Sequence, residues 1–87
     1  MNKKDLIATI ACKTNLTKKE IDSVLTLILE LIIDKVSLGE RVRLVGFGSF
    51  YKVNKVIDIR LEENILLSKG SIVKFSPGKF FKQRINI

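Results

Sequence analysis

Gly39-Glu40-Arg41-Val42-Arg43-Leu44-Val45-Gly46-Phe47-Gly48-Ser49-Phe50 is the stretch on which the fold turns, because the hydrophobic period changes inside it. Before Gly39 the apolar residues recur at helical spacing. After it, Arg41-Val42-Arg43-Leu44-Val45 alternates, which reads as a strand with Val42 and Leu44 on one face. Gly39 supplies the left-handed position that ends a helix, and Gly46-Phe47-Gly48 reads as a tight turn. A helical first half and an antiparallel second half therefore meet here, and the fold class is α+β.

Working toward the N-terminus, Leu16-Thr17-Lys18-Lys19-Glu20-Ile21 is a capping box inside a hydrophobic staple. Thr17 accepts from the Glu20 backbone, Glu20 reaches back to the Thr17 backbone, and Leu16 is placed to pack on Ile21. This predicts a helix over residues 18–38. Its apolar residues include Ile21, Val24, Leu25, Leu27, Ile28, Leu29, Leu31, Ile32, Ile33 and Val36, too wide a set for one stripe. A helix apolar nearly all round is buried on most sides. In a chain of 87 residues, 46% of them hydrophobic, a second chain is the ready source of that cover. Upstream, Leu6, Ile7, Ile10 and Ala11 share one face of a shorter helix over residues 3–14, with Asn2 as N-cap and Asp5 near the positive end of the dipole.

Working toward the C-terminus, residues 49–59 form a second extended segment and a turn near 61–64 returns the chain. Residues 65–67 and 71–75 make a third strand, with a bulge or kink expected at Lys69-Gly70. Ser76-Pro77 reads as an N-cap followed by proline at the first helical position. A last short helix carries Lys79, Phe80, Phe81, Lys82 and Arg84. The order is α-α-β-β-β-α in a single domain over residues 1–87, with residues 1–40 a helical dimerisation half and 41–87 a basic sheet, arm and last helix.

Charge is segregated. Residues 1–40 hold six lysines and six acids. Residues 41–87 hold ten Lys/Arg and three acids, so the whole net charge of +7 lies in the second half. Solubility alone does not require such segregation. A polyanion does, with nucleic acid first and an anionic membrane second. The membrane reading is disfavoured, because no lysine-rich amphipathic helix with a clean apolar face is present. The longest strongly apolar run, residues 27–33, is broken by Glu30 and too short to span a bilayer. The start lacks the long apolar core and small-residue cleavage site of a signal peptide. Catalysis is disfavoured too, since the sequence has no histidine. Its one cysteine, Cys12, cannot make an internal disulfide or a multi-cysteine metal site, and its neighbours Ile10 and Ala11 suggest a buried thiol. No cofactor, metal or small-molecule substrate is implied, and the single cysteine fits a reducing cytoplasm.

The opening Met1-Asn2-Lys3-Lys4-Asp5-Leu6-Ile7, the turn Val45-Gly46-Phe47-Gly48-Ser49-Phe50, and Phe75 with Pro77-Gly78-Lys79 and Lys82 resemble the HU/IHF family of bacterial histone-like DNA-bending proteins. The resemblance implies a helical hairpin plus a three-stranded antiparallel sheet with an extended β-arm and a short C-terminal helix, intertwined as a homodimer or as a heterodimer with a related subunit. It also implies a nucleoid-associated protein that binds, bends and compacts double-stranded DNA with little regard to sequence. The resemblance further implies that the duplex is kinked by apolar wedges. Residues 51–64 depart from the family's arm. They are about four residues short of it, lack the tip proline, and place Glu62 and Glu63 beside the turn.

Arg43, Lys52, Lys55, Arg60, Lys69 and Lys74 are candidate phosphate contacts on sheet and arm, their plainer role being strand solubility. Lys79 and Lys82 open the last helix, and Lys3 matches a family position at the flank of the body. Gly46 and Gly48 either admit close approach of DNA or serve the backbone alone. Ile59 or Leu61 can replace the proline wedge, or else pack within the arm or against protein. Leu25, Ile28, Leu29, Ile32, Phe47, Phe50 and Phe75 are read as dimer core rather than base-stacking residues. The other class of function open to this sequence is a divergent member acting as a protein-interaction or heterodimer subunit with weak bending.

Overall fold

Asn2 starts the first helix by exchanging hydrogen bonds with Asp5: the Asp5 N–H donates to the Asn2 side chain at 3.0 Å and the Asn2 N–H to the Asp5 carboxylate at 3.1 Å. The resulting helix α1, Lys3–Lys13, is followed by α2, Lys18–Ser37. The reciprocal pair read at Thr17 and Glu20 is formed as expected, with both bonds at 3.1 Å. The structure, a computed structural model, describes the backbone of residues 1–61 and 64–86 and the side chains of residues 1–54 and 70–86.

The end of α2 follows from Gly39, whose φ is +90°. The Glu40 N–H reaches back to the Lys35 carbonyl and the Gly39 N–H to the Val36 carbonyl, both at 3.0 Å. Those two bonds are the Schellman pattern, and they satisfy carbonyls that the helix itself leaves open.

Three strands follow in spatial order β1-β2-β3, all antiparallel: β1, Val42–Leu44; β2, Gly48–Leu61; and β3, Asn64–Pro77. Between β1 and β2 the Phe47 N–H donates to the Leu44 carbonyl at 2.9 Å, and Gly46 has a φ of +85°. A turn closed in this way with positive φ at its third residue is type II, where glycine is favoured. The helix α3, Lys79–Ile85, closes the chain.

Two local expectations are corrected. No bulge occurs at Lys69-Gly70: Lys69 pairs with Val56 and Gly70 with Lys55 in an unbroken one-to-one register from Gly48↔Pro77 to Leu61↔Asn64. Ser76 and Pro77 do not open α3. They are the last residues of β3, and Gly78 is the N-cap, with extended backbone and its N–H donated to the Phe47 carbonyl at 2.8 Å. Proline tolerates the end of a strand because its missing N–H costs little there.

The chain forms two compact units, Met1–Ile33 and Asp34–Ile87. Ile7, Ile21 and Val36 are the buried apolar side chains among the described residues. On α2, Val24, Leu27 and Leu31 remain 56–58% exposed. Leu16, set to staple onto Ile21, is itself 48% exposed. Cys12, expected to be buried, is exposed, because it lies off the stripe that carries Ile7 inward.

Candidate nucleic-acid interface

Strand alternation sorts the sheet into two chemically different faces. Cross-strand partners share a face, so the pairs Arg43↔Ser49, Ser49↔Ser76 and Tyr51↔Lys74 lie on one side. The pairs Val42↔Phe50, Phe50↔Phe75 and Lys52↔Val73 lie on the other.

The second face is the aromatic one. Phe50 and Phe75 have ring centroids 4.8 Å apart, Phe47 lies 5.3 Å from both Phe75 and Phe81, and Phe75 lies 5.9 Å from Phe81. Tilted and edge-on rings at these separations are favourable packing beyond the area they bury. Phe81 thus ties α3 to the sheet. Gly48 is required by this cluster. A Cβ there would sit 2.6 Å from both the Phe75 ring and the Ser76 carbonyl oxygen. Gly46 has open space around it, so its need is the positive φ alone.

Lys52 belongs to this aromatic side and not to the basic one. Its Nζ donates to the carbonyl of Ser37, in the last turn of α2, at 2.8 Å. A cation at a helix C-terminus is favourably placed against the dipole. That bond is spent on the protein's own backbone, which separates Lys52 from the other lysines proposed for phosphate.

The first face is cationic. Arg41 places its guanidinium 4.4 Å from the centre of the Tyr51 ring, two residues along from Arg43, and Tyr51 is the cross-strand partner of Lys74. Among the described residues none of Arg41, Arg43, Lys74, Lys79 and Lys82 makes an ion pair. Arg41, Arg43, Gly46, Gly48, Ser49 and Lys79 line an open recess of about 420 Å³. Lys79 and Lys82 border a second, of about 450 Å³, with Gln83 and Asn86. Charges left without a carboxylate keep their capacity to replace the counterions of a polyanion.

In the helical unit, Lys3 is already engaged. Its Nζ donates to Thr26 Oγ1 at 2.8 Å and lies 3.3 Å from Asp22 Oδ1. Both partners of the ion pair are about half exposed, so the bridge contributes roughly 0–1 kcal/mol. It orients Lys3 without withholding it from an anion. Lys3, Lys4, Lys18 and Lys19 border a recess of about 650 Å³ with Asp5 and Asp22. Among the described residues no group of three or more His, Cys, Asp or Glu is disposed to hold a metal, and no helix is long and apolar enough to cross a membrane.

The side chains of Lys55, Arg60, Lys69, Ile59 and Leu61, and residues Glu62 and Glu63, lie outside the described residues. The expectations for the arm tip and its wedge fall there. Arg41 is the residue the sequence reading passed over. Its signal was the hairpin register: with Val42 opposite Phe50, one further step sets Arg41 across from Tyr51.

The family model described as bacterial DNA-binding protein matches residues 1–86. The chain belongs to that family. Among its relatives, the DNA-binding protein HU of Nostoc sp. is 39% identical, with the alignment covering 98% of this chain and 95% of that one. The integration host factor subunit beta of Colwellia psychrerythraea is 36% identical and covers 100% of this chain and 97% of its own. Among solved structures, an Anabaena HU–DNA cocrystal superposes with a TM-score of 0.86 at 38% identity, covering 98% of this chain and 97% of that one. The bacterial DNA-binding protein family therefore supplies both the fold, three helices on a three-stranded antiparallel sheet, and the frame in which the two faces are to be read.

Proposed function

We propose that this chain binds double-stranded DNA through its phosphates, with little sequence preference, and bends and compacts it as a non-enzymatic, nucleoid-associated protein of the cytoplasm that needs no cofactor. The observation that carries this reading is the cationic face of Arg41, Arg43 and Lys74, none of them ion-paired among the described residues, set on a sheet whose opposite face is aromatic. Membership of the bacterial DNA-binding protein family, and a DNA cocrystal of a similar HU, support the same partner. Phosphate contacts fix position without reading bases, and this face offers Arg and Lys rather than Asn and Gln to an approaching duplex.

The binding unit we propose is a dimer, homodimeric or formed with a related subunit, over a single domain of residues 1–87. Leu25 and Ile32 are half-buried, whereas Ile28 and Leu29 are 46% and 43% exposed in the single chain. Phe80 and Ile85 on α3 are 67% and 68% exposed. A second chain laid over these residues gives them the core that one chain lacks. Phe47, Phe50 and Phe75 are then the sheet's contribution to that core.

Gel-shift titration with linear, nicked and pre-bent duplexes at several salt concentrations tests the reading. Binding that weakens steeply with salt, and is stronger on nicked or bent duplex, is expected. Salt-insensitive binding, or a strong preference for one short sequence, overturns it.

A further inference from the structure

We propose that Arg41 and Tyr51 act as one unit of the duplex interface, a guanidinium pre-set on an aromatic ring to grip a DNA phosphate between Arg43 and Lys74. This rests on the proposed DNA-binding function and names a contact within it.

Arg41 is held still by Tyr51. Its Cζ lies 4.4 Å from the Tyr51 centroid, well within the range at which a cation is attracted by a ring face. Arg41 itself is exposed and Tyr51 half-buried, so the ring is the fixed partner and the guanidinium the part presented to solvent. An arginine so stacked keeps its planar fork of donors at its edge, and that fork matches a phosphate in two hydrogen bonds. Pre-ordering matters because a free arginine side chain loses rotamer freedom on binding, part of which Tyr51 has already removed in the free protein.

The neighbours decide what the unit is for. Lys74 is the cross-strand partner of Tyr51, and Arg43 lies two residues along from Arg41. None of the three cations has an ion-pair partner among the described residues. A stack serving only local stability would need no such company, and three like charges on one patch repel each other until an anion arrives. The same strand pair places Lys52 on the far side, bonded to Ser37, so these cations differ from Lys52 in direction as well as in partner.

The test is fluorescence anisotropy on a labelled duplex of about 40 base pairs, across salt concentrations, with wild type, Arg41→Gln, Tyr51→Leu, Tyr51→Phe and the Arg41→Gln/Tyr51→Leu pair. Wild-type binding at low salt establishes the functional reading first, and its absence refutes that reading rather than this one. Given binding, Arg41→Gln should reduce the log–log salt slope by about 0.9 per site, the share of one phosphate contact. Tyr51→Leu leaves the charge untouched and should weaken binding by about two- to fivefold, the range of an exposed cation–π contact. Tyr51→Phe keeps the ring and should bind as wild type. The double variant should bind no more weakly than Arg41→Gln alone, since the ring acts through the arginine. An unchanged slope in Arg41→Gln overturns the inference whatever Tyr51→Leu does, and this exposed substitution leaves folding intact. Additive losses in the double variant overturn it equally, because they make Tyr51 an independent contact.

Discussion

Replacing Lys52 with methionine separates the two roles a lysine can have in this sheet. The side chain is half-buried and bonds to a carbonyl in the last turn of α2 at 2.8 Å. Methionine keeps the apolar stem and removes the ammonium. A hydrogen bond from a charged donor contributes roughly 1.5–3 kcal/mol when shielded. Here it is partly solvated and the carbonyl regains water when the donor leaves, so the lower end applies. Adding the dipole interaction, itself roughly 0.3–1 kcal/mol, the loss should be about 2–2.5 kcal/mol per protomer. For a domain of this size each kcal/mol corresponds to a fall in Tm of about 4–8 °C. The melt must be run at fixed protomer concentration, because assembly shifts apparent stability. The decisive measurement is the salt dependence of duplex binding by the same variant. If Lys52 is spent on Ser37, the slope stays at the wild-type value. A slope lowered by about 0.9 per site with the Tm unmoved would refute this reasoning and return Lys52 to the phosphate contacts.

Gly48→Ala should destabilise the fold by roughly 1–3 kcal/mol, as overpacked cores do, because its Cβ meets the Phe75 ring and the Ser76 carbonyl at 2.6 Å; thermal melts beside Gly46→Ala, where only φ is strained, separate clash from conformation. Glu20 has its pKa held below the usual value near 4.5, chiefly by the Thr17 backbone N–H and then by the Thr17 side chain. A depressed carboxylate contributes stability that is complete above its unfolded pKa and is lost as pH falls through the lower folded one. The start of α2 should therefore loosen as the solution is taken below about pH 4.5, and Glu20→Gln, which keeps an acceptor oxygen but does not titrate, should flatten that part of a circular-dichroism titration. Ile28→Asp should abolish folding rather than release a soluble monomer, since it sets an unpaired charge in the proposed dimer core; sedimentation of a compact monomer would contradict that.

Helix starts were legible in the sequence because their signals are local and chemically specific: Thr17 and Glu20 read as a reciprocal pair and Asn2 as an N-cap, whereas Asp5, read only for its charge, also closes a reciprocal pair with Asn2. Gly39 was legible for the same reason. The errors arose where two local patterns competed and a distant strand decided. Gly70 looks like a bulge in isolation, yet it sits opposite Lys55 in an unbroken ladder. Ser76-Pro77 has the form of a helix start, but pairing of Pro77 with Gly48 extends β3 through it and leaves Gly78 as the cap. The basic face was legible as a charge excess but not as a direction. Composition counts Lys52 and Arg41 alike, whereas register sends one to Ser37 and the other to Tyr51. Cys12 shows the complementary weakness, since apolar neighbours along the chain do not place a residue on the buried arc of a helix.

A chain whose buried apolar side chains, among the described residues, are Ile7, Ile21 and Val36 carries by itself half of a folding instruction. If its partner supplies the rest, reaching the native state is a second-order process, and the rate at which new chains mature rises with the square of their number. Synthesis rate then sets the functional pool with a threshold: chains made too sparsely linger open to proteases, and a modest rise in expression gives a disproportionate rise in working protein.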